Sequence, residues 1–185
     1  MTMDHLQRRF VIAVAIKLNS GCVKLSLPNG CVVDVLTSVL DEIAKWLQVD
    51  PTAPESGGYI VGYEHKETKN VVLEKVSVPH LLDRRTRTHF DMIDPAHKLF
   101  LLKEKRRKSY YMGVWHTHPQ CTPVPSPTDW EDWKKTLETD KTASDYVFFL
   151  IAGTDDTRIW VGNPQDRTIV EILERPKING IYTKE

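Results

Sequence analysis

The sequence has little cysteine, no long apolar run and no excess of either charge sign. Its three cysteines, Cys22, Cys31 and Cys121, are too few, and odd in number, to make a disulfide framework for 185 residues. A reducing compartment is the simpler setting. The apolar run over 10–16 follows Arg8 and Arg9 and has the outline of a short signal peptide. It ends at Lys17 with no small-residue cleavage site, and it falls far short of the ~20 residues that span a bilayer. It reads instead as a β-strand, and the expected location is the cytoplasm. Lysine plus arginine and aspartate plus glutamate balance at 25 each. A neutral chain has no global field to gather nucleic acid or an anionic membrane, so neither is expected as a partner. No internal repeat or low-complexity tract interrupts the chain.

What is present is ordinary for a globular protein: 41% hydrophobic and 27% charged residues, in a chain long enough to bury its own core. Alternation and turn residues predict strands over 10–18, 23–27, 32–33, 57–64, 71–78, 110–118, 146–152, 157–161 and 168–173. A helix is expected over 34–48, where Leu36, Val39, Leu40, Ile43 and Leu47 share a face. Residues 79–93 read as irregular and basic. Asp94-Pro95 then opens a second helix, with Asp capping free amides and Pro fitting the first turn. Its end, over 103–108, is strongly basic, which suits the negative pole of a helix dipole better than a nucleic-acid patch. Ser126-Pro127-Thr128-Asp129 starts a third helix reaching about residue 137. Short turns between many strands predict an α/β (α+β) fold with a mixed, mostly antiparallel central sheet and flanking helices.

Three short strings carry chemistry. In His116-Thr117-His118-Pro119 the two imidazoles lie two residues apart on a strand, so they project from one face and can hold one metal; Trp115 and Thr117 point the other way. Two partly buried histidines with ordinary hydrogen bonds are the competing reading. Ser126 and Asp129 fit a capping box, yet an Asp in a first helical turn can also face a metal beside it. Glu55 precedes Gly57-Gly58, a turn into a strand or a carboxylate held at the mouth of a sheet by backbone that glycine permits.

Together the strings resemble the JAMM/MPN+ (JAB domain) zinc metallopeptidase family. That pattern has an upstream Glu, then His-Ser/Thr-His-Pro, seven residues to a Ser, and an Asp beyond two more. The chain matches with Glu55, His116-Thr117-His118-Pro119, Ser126 and Asp129. The resemblance implies an MPN/JAB-domain (cytidine deaminase-like) fold and one Zn2+ per chain on His116, His118 and Asp129. It also implies Glu55 as general base and Ser126 as oxyanion donor. A catalytic zinc takes three protein ligands and keeps one position for water, which agrees with this set. The implied reaction is hydrolysis of the amide at the C-terminus of a ubiquitin-like protein, often an isopeptide bond to lysine. The expected organisation is an N-terminal strand extension over 1–30, the catalytic domain over 31–175 and a tail over 176–185.

In size the chain is similar to compact bacterial JAB deconjugases, including those of anti-phage (CBASS-type) operons built on cGAS-like nucleotidyltransferases. A ubiquitin-like protein or its conjugate, or a cGAS-like nucleotidyltransferase conjugate, is therefore the expected partner. A non-catalytic MPN scaffold and a zinc hydrolase of small substrates are the alternatives. Cys121, three residues after His118, reads as a loop cysteine without a role, a silencing fourth ligand or a redox handle. The segment over 87–92 alternates in character. It is expected either to accept a substrate tail as an added strand or to be an interior strand with both edges paired.

Overall fold

The computed structural model describes residues 21–173; the strand expected over 10–18 lies outside them. Ten strands and three helices follow in chain order. They are β1 (Cys22–Ser26), β2 (Val32–Leu36), α1 (Thr37–Ala44), β3 (Gly57–Glu64), β4 (Val71–Val76), β5 (Arg84–Thr86) and β6 (His89–Asp91). Then come α2 (Pro95–Arg106), β7 (Tyr110–Thr117), α3 (Pro127–Thr139), β8 (Val147–Ala152), β9 (Thr157–Gly162) and β10 (Ile169–Ile172).

Eight strands form one sheet in the order β1-β2-β4-β3-β7-β8-β9-β10. Its pairings are antiparallel except β2–β4 and β7–β8, which are parallel. The expected mixed, mostly antiparallel sheet with flanking helices is the one observed. A parallel pair needs a crossover, and β7 reaches β8 through α3. Strand β8 is buried along its whole length, and its alternation feeds two cores. Phe148, Leu150 and Ala152 join the larger core, with Val33, Val35, Ile60, Leu73, Met112 and Trp115 packed under α1. Val147, Phe149 and Ile151 face α3, where Trp133 stacks on Phe149 at 4.7 Å.

Two expectations need correction. The helix expected over 34–48 begins only at Thr37, because residues 32–36 continue a strand. Val33 and Val35 alternate into the core, fully buried, and β2 is bonded on both edges, to β1 and β4. A β-branched segment with both ladders satisfied stays extended, although its apolar spacing also suits a helical stripe. Residues 79–93 are not wholly irregular: β5 and β6 form a separate antiparallel hairpin, with Arg84 opposite Asp91 and Thr86 opposite His89. Among the described residues β6 pairs with β5 alone. The helix expected over 34–48 also ends at Ala44, four residues before 48, and the remaining boundaries fall within two residues of expectation.

The segment leading into this hairpin is fixed by a sealed polar cluster. His97, on α2, bonds Ser77 Oγ through Nδ1 and Asp83 Oδ2 through Nε2, both at 2.8 Å. Asp83 also accepts the amides of His80, Ile93 and Asp94. Burial works against its ionisation, but these amides and the imidazole outweigh it and hold the carboxyl below its ordinary range.

Candidate metal centre

The site is built where β7 ends and α3 begins. Strand alternation sends His116 and His118 to one face. Beyond the strand's last residue, His118 is held because its amide donates to the Ala152 carbonyl of β8, at 2.9 Å. Asp129 arrives on the first turn of α3. Ser126 Oγ accepts the Asp129 amide at 3.1 Å, and Asp129 Oδ2 accepts the Ser126 amide at 2.6 Å. This capping box satisfies two otherwise free helix-end groups and aims the Asp129 carboxylate at the histidines.

The three side chains converge. His116 Nε2 lies 3.0 Å from His118 Nε2 and 3.1 Å from Asp129 Oδ1, and His118 Nε2 lies 3.4 Å from Asp129 Oδ2. Each side chain is only 12–15% exposed. Ligands bonded tetrahedrally to zinc at about 2.0–2.1 Å stand roughly 3.3 Å apart, so the spacing and the two-nitrogen, one-oxygen donor set fit that ion. Burial opposes ionisation of Asp129, but hydrogen bonds from both imidazoles and from Ser126 outweigh it and hold the carboxyl well below its ordinary range. Burial likewise opposes charging of His118, yet the adjacent Asp129 carboxylate raises its pKa overall.

Glu55 and Ser126 line the same cavity of about 560 Å³ as these three residues. Glu55 is nearly buried, and that burial pushes its carboxyl above the ordinary range against the pull of His116 and His118. A carboxyl moved upward is better matched to taking and returning protons near neutrality. Ser126 Oγ acts in the cap as an acceptor, so the cap leaves its hydroxyl proton available for donation.

Gly57 is where close approach matters. A Cβ there would meet the Trp115 carbonyl and the Phe90 ring at 2.7 Å, so only glycine lets β6 lie over β3 beside Glu55. At Gly58 the Ser77 carbonyl would stand 2.1 Å from a Cβ. Cys121 is exposed, and its thiol is not part of the converging group. The sequence reading singled out 87–92 but missed how β5 grips the site. The Glu55 amide donates to the Thr86 carbonyl at 2.7 Å, and Arg85 Nε donates to the Glu55 carbonyl at 2.8 Å. The only sequence signal was the alternation of basic and polar residues over 85–89.

The fold and this constellation define a JAB-type domain. The family described as prokaryotic homologs of the JAB domain matches residues 36–163, and the chain belongs to it. It is similar to a protein of Vibrio cholerae named CD-NTase/cGAS isopeptidase, 26% identical over 150 residues, covering 80% of this chain and 90% of that one. A protein of Escherichia coli with the same name is 29% identical over 144 residues, covering 76% of this chain and 87% of that one. Among solved structures, a Desulfitobacterium hafniense protein matches with a TM-score of 0.51 and 22% identity, over 74% of this chain and 87% of that one, a likeness of fold. No helix among the described residues is long and apolar enough to cross a membrane.

Proposed function

We propose that this chain is a zinc-dependent isopeptidase that hydrolyses the amide at the C-terminus of a ubiquitin-like protein or its conjugate. Its substrate class includes a cGAS-like nucleotidyltransferase conjugate, and its setting is anti-phage defence in the cytoplasm. The observation that carries this reading is the convergence of His116, His118 and Asp129 within 4.8 Å, in one cavity with Glu55. The names of the two relatives, and the family itself, support the reaction class and the substrate.

His116, His118 and Asp129 hold the metal. When bound there, zinc supplies Lewis acidity and a water of lowered pKa. Glu55 takes a proton from the attacking water and returns it to the leaving amine as the C–N bond breaks, so the products are a carboxylate and an amine. Ser126 donates a hydrogen bond from its hydroxyl to the carbonyl oxygen as charge develops there, and keeps its proton. The substrate tail lies extended along β6, whose outer edge is unpaired among the described residues, and gains affinity from backbone hydrogen bonds.

The test uses a reporter joined by a lysine amide to the C-terminus of a cGAS-like nucleotidyltransferase, and a matched ubiquitin-like conjugate. The zinc-loaded chain is expected to release the reporter, lose activity to a chelator and recover it with zinc. Shortening the extended tail is expected to raise KM. Zinc-loaded protein that leaves every conjugate intact sinks the reading and favours a scaffold role.

A further inference from the structure

Behind the metal-bearing strand lies a closed polar network that the proposed chemistry does not use. Thr117 stands between His116 and His118, and its side chain points to the opposite face, where it is fully buried. There its hydroxyl has two partners. It accepts the Ser56 amide at 3.0 Å and donates to Gln48 Oε1 at 3.1 Å. The Thr117 amide donates back to the Ser56 carbonyl at 2.9 Å. The regular pairing of β3 and β7 ends at Gly57 opposite His116. A side-chain hydroxyl thus extends that ladder by one residue, to the neighbour of Glu55, and satisfies an amide that no solvent reaches.

Gln48 closes the network. Only 2% of its surface is exposed, and its Nε2 donates to the carbonyls of Ala53 at 3.1 Å and Arg87 at 2.8 Å. Two carbonyl acceptors on one side and a hydroxyl donor on the other fix which end of the amide is nitrogen. One buried side chain therefore ties together the loop leading to Glu55, the turn of the β5–β6 hairpin and the end of β7 between the two histidines. Arg85 completes the enclosure by bonding the Glu55 carbonyl and Ser56 Oγ while its guanidinium lies 5.4 Å over the Trp46 ring.

We propose that Thr117 and Gln48 are positioning residues, which set the Glu55 carboxylate at its working place relative to the His116–His118 pair. Neither touches the cavity, so neither acts on substrate. Their effect passes through the Ser56–Thr117 bonds and the Ala53 carbonyl. Displacement of a catalytic group by about 1 Å is enough to cost a large factor in rate while leaving substrate binding intact. This inference rests on the assignment of Glu55 as the base.

The test compares the full zinc-loaded chain with Thr117→Val, Thr117→Ser and Gln48→Leu, using the nucleotidyltransferase–reporter amide. Thr117→Val and Gln48→Leu are expected to keep one zinc and the wild-type circular dichroism spectrum. Their kcat should fall about tenfold or more, with KM within about twofold of wild type. Thr117→Ser, which keeps the hydroxyl, should restore kcat. Wild-type kcat in folded Thr117→Val, or a Thr117→Ser variant as slow as Thr117→Val, overturns the proposal. Should Thr117→Val fail to fold, Gln48→Leu decides by the same split, because it leaves the Ser56–Thr117 bonds in place. A second readout needs no metal and no substrate. In the metal-free chain, amide exchange at Glu55 and Ser56 should be faster in Thr117→Val than in Thr117→Ser, and equal protection overturns the placement. Failure of the wild-type chain to bind zinc or hydrolyse would instead sink the function and leave the exchange result standing.

Discussion

The molecule contains two groups made from the same residue types, and they behave in opposite ways. One is His116, His118, Asp129 and Ser126; the other is His97, Asp83 and Ser77. In the second, each imidazole nitrogen has its own complementary partner at 2.8 Å, and Asp83 accepts three backbone amides besides. Its side chains are 0–1% exposed for Asp83 and His97, so nothing enters and no valence is left over. In the first, two imidazole nitrogens face each other as well as a carboxylate, at 3.0–3.4 Å, on the wall of a cavity. Three lone-pair-bearing atoms so placed repel unless a proton or a cation sits among them. The difference teaches that residue type does not make a site. A structural cluster pairs each donor with an acceptor, whereas a metal site gathers acceptors.

The comparison breaks first at the metal. His116→Ala and Asp129→Ala are expected to lose zinc and all hydrolysis, while Asp83→Ala protein that has folded keeps a full zinc complement. Elemental analysis of the three purified variants decides this, and full zinc retention in the first two ends the assignment. Next in size, Glu55→Ala should keep zinc and fold but lose about two to four orders of magnitude in kcat, as removal of a general base does. Near-normal turnover would mean that another group moves the proton.

Asp83→Ala sharpens the other half of the contrast. It leaves the buried His97 Nε2 and the amides of His80, Ile93 and Asp94 without their acceptor, so stability should drop by about 3 kcal/mol. That corresponds to roughly 6–12 °C in Tm for a domain of this size. A shift within experimental error would show that water replaces the carboxylate. The smallest effect expected is on acid sensitivity. The Asp83 carboxyl lies below its ordinary range when folded, so the unfolded chain binds the proton more readily. Its contribution is present above the unfolded value of about 3.9 and is lost as pH falls through the lower folded value. Tm of the wild type should therefore fall more steeply below about pH 4 than Tm of Asp83→Asn. Parallel slopes would place the acid sensitivity elsewhere.

How much of this was legible in the sequence depended on range. The residues of the candidate metal site are close in the chain, and strand alternation plus a capping box suffice to bring His116, His118 and Asp129 to one place. The strands of the eight-stranded sheet and α2 and α3 were also readable from alternation, caps and turns, whereas the β5–β6 hairpin was not. The β2–α1 boundary was not, because Val33 and Val35 satisfy period 2 while Val35 and Leu36 also extend a helical stripe, and only the neighbours β1 and β4 decide between them. The Ser77–Asp83–His97 cluster was silent for a different reason. Its members sit just beyond β4, in a loop and on α2 with no shared period, and their meeting is a product of tertiary packing. The same holds for Gln48 and Thr117, whose bond spans 69 positions. The alternation over 87–92 was visible, but not that β5 would fasten onto Glu55.

The path of the chain through the sheet has a consequence for how such a protein can change over generations. All three converging donors belong to one contiguous stretch, the unit β7–α3–β8, because the crossover that a parallel pair requires also returns Asp129 to the end of β7. Glu55 comes from the other half of the sheet, across the β3–β7 seam. On the proposed assignment, ion capture and proton traffic are thus inherited on separate segments. With the proposed roles, drift around Glu55 would extinguish turnover and leave an intact ion-binding shell, whereas drift in the crossover would remove both at once. A lineage of this architecture would then have a short route from enzyme to a silent docking module that still binds the ion, and that route runs through the 53–57 loop.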